Sequence, residues 1–147
     1  MKKIGQILAM LLLAHGLAAG AEEEAKVLPP IDPKVKAPAG VNLKLLSEDA
    51  TYGYSDKNPI KVGSKDEFGG PEAERTYLEL LLDANGKPVE FKRLFSGGKS
   101  PDGKPLDCYE VTLDDGTKVR LWINMYHPKN EPAKQPAPVG FYKKKRA

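Results

Sequence analysis

The sequence predicts an α+β domain, a small antiparallel sheet of three or four strands with one helix packed on one face. Three observations point there. The run LDCYEVTLDDGTKVRLWINMY, Leu106 to Tyr126, alternates apolar and polar residues on both sides of a turn triplet. The run PEAERTYLELLLDA repeats apolar residues at helical spacing, and VEFKRLF alternates as a strand does.

The turn decides the register of the first run. With Asp114-Asp115-Gly116 as a three-residue hairpin loop, Gly116 takes the left-handed position and Leu113 faces Thr117. Val111 then faces Val119, and Tyr109 faces Leu121. One face collects Tyr109, Val111, Leu113, Val119, Leu121, Ile123 and Met125. A two-residue loop would set Val111 against Arg120 and turn an apolar row to water, so burial rejects it. The other face carries Glu110 across from Arg120, Thr112 across from Lys118 and Cys108 across from Trp122. A polar solvent face does not require indole, so Trp122 calls for a cover: the two chain ends or a partner.

Pro71 opens the helix, where its missing amide hydrogen costs little. Glu72 and Glu74 complement the positive end of the helix dipole. Ala73, Tyr77, Leu80, Leu81 and Ala84 share one face, widened by Leu78, while Arg75 and Glu79 pair on the wet side. Asn85-Gly86 ends the helix and Pro88 blocks its continuation. So short a helix needs a sheet beneath it. Upstream, Val41, Leu43 and Leu45 alternate as a weak strand, and Ile60-Lys61-Val62 reads as a short edge strand after the Asn58-Pro59 turn. FSGGKSPDGKP, Phe95 to Pro105, reads as a long polar loop.

The chain ends differ from this body. Lys2 and Lys3, the apolar run Ile7 to Leu13 and the small residues Ala19-Gly20-Ala21 read as a signal peptide spanning residues 1–21. The expected product is exported, most simply periplasmic, with no transmembrane segment after cleavage. Residues 22–40 are rich in Ala, Pro, Lys and Glu and read as a flexible arm. Residues 127–147 read as a proline-rich basic tail, with Phe141 and Tyr142 able to dock back on the single domain of residues 41–126.

Composition narrows the chemistry. Of 23 Lys and Arg, Lys2 and Lys3 leave with the signal, so 21 cations face 20 Asp and Glu. That balance argues against a nucleic-acid partner, which needs a concentrated positive footprint. Cys108 is the one cysteine, so an intramolecular disulfide is impossible and an apolar core, with weak self-association at most, must hold the fold. His127 is the one histidine left after cleavage, too few for a zinc cluster and five residues beyond the Cys108 partner Trp122. SGGKS, Ser96 to Ser100, lacks the earlier glycine of a phosphate loop, because Arg93 stands there. No cofactor pattern and no twelve-residue calcium loop is present.

What remains is a recognition surface. Tyr52 and Tyr54 fall on one side of an extended chain, and Gly53 and Gly63 allow close backbone approach. Lys61 and Arg93 add anion-binding groups, and Trp122 an aromatic wall. The expected groove is Tyr52, Tyr54, Lys61, Arg93 and Trp122, against the plainer reading of an aromatic-covered sheet edge with solvated lysines.

The order Tyr52-Gly53-Tyr54, Asn58-Pro59-Ile60-Lys61-Val62-Gly63, Gly70-Pro71, Glu74-Arg75 and Tyr77-Leu78 resembles a family of small exported bacterial proteins of unknown function. Asn85-Gly86, Val89, Arg93, Tyr109-Glu110-Val111 and Asn124-Met125-Tyr126 continue the likeness over roughly residues 51–126. The resemblance implies a secreted protein or lipoprotein of one domain and supplies no catalytic residues. Aldolase labels borne by some members do not suit a chain too short for a barrel, and the lipoprotein cysteine is lacking here. Two functions follow as expectations. The first is a non-enzymatic periplasmic structural or binding module that engages an envelope protein, peptide or glycan. The alternative is a small envelope-acting hydrolase using carboxylates such as Asp56, Asp66 or Asp107.

Overall fold

The computed structural model describes residues 26–146. The expected signal peptide and the first residues of the expected arm lie outside them. The elements run β1 (Ile60–Lys61), α1 (Gly70–Glu79), β2 (Leu81–Leu82), β3 (Glu90–Lys99), β4 (Pro105–Thr112), β5 (Lys118–Asn124), a 3₁₀ turn (Pro132–Lys134) and β6 (Tyr142–Lys143). A four-stranded sheet is ordered β1-β5-β4-β3, a two-stranded ribbon joins β2 to β6, and α1 packs its buried face into the core. The class is α+β, as the sequence predicts. The sheet is mixed rather than wholly antiparallel, because β1 runs parallel to β5.

The β4–β5 hairpin has the predicted register: Val111 opposite Val119, Tyr109 opposite Leu121, Glu110 opposite Arg120 and Cys108 opposite Trp122. Leu113 N–H donates to Thr117 O, and Gly116 takes a φ of 87° at the loop. A Cβ there would strain the backbone. Val111, Leu121 and Ile123 are fully buried, which is why the register cannot slip.

Three local expectations change. The helix stops at Glu79 instead of reaching Ala84, because Leu81 and Leu82 leave it to pair with Tyr142 and Lys143. A ten-residue helix gains little per added residue, so a neighbouring strand outcompetes its last turn. Gly86 still makes a turn, its N–H donating to Asp83 O, while the Asp83 carboxylate accepts from the Asn85 and Lys87 amides. Val41 to Leu46 is not a strand. Asn42 bends the chain by accepting the Lys44 amide on its side chain, leaving single bridges at Val41 and Leu46. The expected polar loop after Phe95 is mostly strand, since β3 continues to Lys99 with register shifts after Arg93 and Ser96. The remaining turn tightens at Ser100 to Lys104.

The chain ends are the largest difference. Leu28, Ala137 and Phe141 sit in the same core cluster as Tyr77, Leu121 and Ile123, so the arm and tail contribute to the body rather than trail from it. Docking of Phe141 and Tyr142 is as expected, and both are buried. One short helix cannot cover a four-stranded sheet, and these segments complete the layer. No helix among the described residues is long and apolar enough to cross a membrane.

Candidate functional site

Pleating sorts the side chains of the sheet onto two faces. Phe95 pairs with Cys108 and Cys108 with Trp122, so these three share the face turned away from the core. Phe95 and Trp122 meet edge to face, with centroids 5.6 Å apart and planes at 73°. Phe95 stays 44% exposed and Trp122 half-buried. Around them the same face carries Lys92, Lys118 and Arg120. Glu110 sits among these cations, 3.5 Å from Lys92 and 3.4 Å from Lys118. Lys61 joins this face from β1, across from Asn124. Cys108 lies buried beneath the aromatics, and burial pushes its thiol up to about 11, so it is no nucleophile at neutral pH.

The five residues expected to form one groove do not meet. Tyr54 is buried, and its hydroxyl donates to Val139 O at 2.5 Å. Tyr52 packs against the core, where burial raises its phenol to about 12. Successive turns replace the extended chain that would have aligned the two rings, with Tyr52 N–H donating to Asp49 O and Tyr54 N–H to Thr51 O. Arg93 pairs with Tyr109 and therefore faces the core side, opposite Trp122. Lys61 and Arg93 stand on the two edge strands, three spacings or roughly 14 Å apart. Trp122 and Lys61 keep a common face. Gly63 makes the expected close approach, since a Cβ there would collide with the His127 carbonyl.

On the core side a polar cluster lies under α1. Glu74 is fully buried, and its Oε2 accepts the Tyr109 hydroxyl at 2.8 Å. Asp107, 5% exposed, accepts a hydrogen bond from the Ser96 hydroxyl, and its Oδ2 lies 3.6 Å from the Arg93 guanidinium. Asp56 and Asp66 are exposed and in separate loops, so the carboxylates named for a hydrolase are not gathered into one site. Asp66 lines a cleft of about 350 Å³ with Lys65, Lys104, Met125 and Tyr126.

His127 Nε2 lies 2.9 Å from Asp102 Oδ2, and the buried Asn124 amide donates to the same carboxylate. This ties the β3–β4 loop to the end of β5. No group of three His, Cys, Asp or Glu among the described residues is placed to hold a metal ion. Lys143 is also buried. Its Nζ donates to Pro132 O at 2.7 Å and lies 3.9 Å over the Tyr77 ring.

Sequence reasoning missed Glu74 as a buried group, and the signal was present. Glu74 stands three, four and seven residues before Tyr77, Leu78 and Leu81, on the apolar stripe itself. Phe95 was missed for another reason. Its outward position depends on the register shift after Arg93, which periodicity does not reveal. Comparison of the chain with protein-family models, with curated proteins and with solved structures found no match.

Proposed function

We propose that the protein is an exported, non-enzymatic binding module, and that the outer face of its sheet holds an acidic glycan of the cell envelope. The carrying observation is the Phe95–Trp122 pair, set among Lys61, Lys92, Lys118 and Arg120, with Glu110 between the cations and Glu90 at the start of β3 on the same face. Flat aromatic surface takes the apolar faces of sugar rings, and the cations complement acidic substituents. The buried Cys108 beneath the pair and the rigid hairpin keep both rings in place without offering a reactive group. Export is supported by the basic, apolar and small-residue succession at residues 2–21.

The test is calorimetric titration with an acidic polyuronate oligosaccharide and with a neutral glucan oligosaccharide of equal length. The acidic oligomer should bind saturably and more weakly as salt is added. Phe95→Ala and Trp122→Ala should each weaken it about tenfold, the size of a 1.4 kcal/mol loss. Equal binding of the neutral oligomer, or unchanged affinity in both variants, would remove this face as the site.

A further inference from the structure

The polar cluster under α1 carries a second reading, independent of the outer face. Each of its carboxyl groups has one oxygen that accepts a hydrogen bond and one that accepts none, although Asp107 Oδ2 faces the Arg93 guanidinium at 3.6 Å. Glu74 Oε2 accepts from Tyr109, while Glu74 Oε1 has no partner among the described residues. Asp107 Oδ1 accepts from Ser96, while Asp107 Oδ2 lacks a hydrogen bond. Asp107 stands two residues before Tyr109 on the same face of β4, so its carboxyl is set on the side of the strand where Tyr109 meets Glu74. Two buried acceptors without a donor destabilise the packing around them, because neither recovers the hydrogen bond it made to water. A single hydrogen placed between them satisfies both.

Charge leads to the same place. The charged and titratable groups acting on Glu74 are Arg93 of β3 and Asp107 and Tyr109 of β4. One guanidinium against two carboxylates leaves a net negative charge where water is excluded, and one proton cancels it. We propose that Glu74 and Asp107 share that proton, Glu74 Oε1–H donating to Asp107 Oδ2, as a clasp between α1 and the sheet that loosens when the proton leaves. Glu74 is the group that holds it. Burial is the main force raising its carboxyl, to about 8, and Asp107 pushes the same way while the Tyr109 hydrogen bond opposes. In the unfolded chain the same carboxyl ionises near its ordinary 4.5. The native state therefore holds more protons between these values, and stability falls as pH rises through that window. The contribution is complete below about 4.5 and lost above about 8.

Glu74→Gln keeps an oxygen for Tyr109 and offers an amide hydrogen to Asp107 at every pH. Thermal unfolding of the full chain from pH 5 to 8 should show the variant gaining several degrees on the wild type as pH rises. Parallel curves would overturn the proposal. Should the variant not fold, the side-chain carboxyl carbon of Glu74 can be followed by NMR in the wild type. Titration near 8 supports the clasp, and titration in the ordinary glutamate range overturns it.

Discussion

At residue scale, Lys143 shows how far an amino-acid type can mislead. Within the run KKKR it looks like solvated charge, yet it is fully buried, its Nζ held by Pro132 O and the Tyr77 ring. Burial lowers its ammonium to about 7 from 10.5. Folded Lys143 thus releases its proton before the unfolded chain does. The unfolded state binds more protons between about 7 and 10.5, so this residue makes stability rise with pH across that window. Lys143→Met should flatten that rise, which urea unfolding at pH 7 and pH 10 measures directly. Glu74 acts in the opposite sense at lower pH, so the two residues bracket a stability curve that each variant tilts differently.

At the scale of elements, the hairpin was fully legible and the helix only in part. Gly116 and the apolar alternation left one register that buries Val111, Val119 and Leu121 together. Leu121→Ala should cost roughly 2–5 kcal/mol in chemical denaturation, because it empties a fully enclosed position. A loss below about 1 kcal/mol would contradict the inward face. The helix start at Gly70-Pro71 was visible, while its end was not. Leu81 and Leu82 suit a helix as well as a strand, and the partner that decided between them lies sixty residues away in the tail. The candidate site divided likewise: Trp122 was read as outward from the hairpin alone, while Arg93 needed its pairing with Tyr109 to show that it faces inward.

At the scale of the molecule, the chain ends belong to the core. Ala137 and Phe141 bury themselves with Leu28 and Tyr77, and Tyr142 joins Val41 and Leu82 in a smaller cluster. Deleting residues 137–147 should abolish cooperative unfolding, followed by circular dichroism against urea, since several large side chains lose their cover at once. A truncated chain unfolding with undiminished midpoint would show that the core closes without Ala137, Phe141 and Tyr142. By itself the sequence determined the α+β class, the hairpin register and the outward indole. Those follow from side-chain periodicity and turn chemistry, which act over a few residues. Tertiary structure alone decided where the helix yields to a strand, that the proline-rich tail closes the core, and that Glu74 of the helix meets Tyr109 of the sheet. Each of these depends on contacts between distant segments, where burial outweighs the local preference of either one.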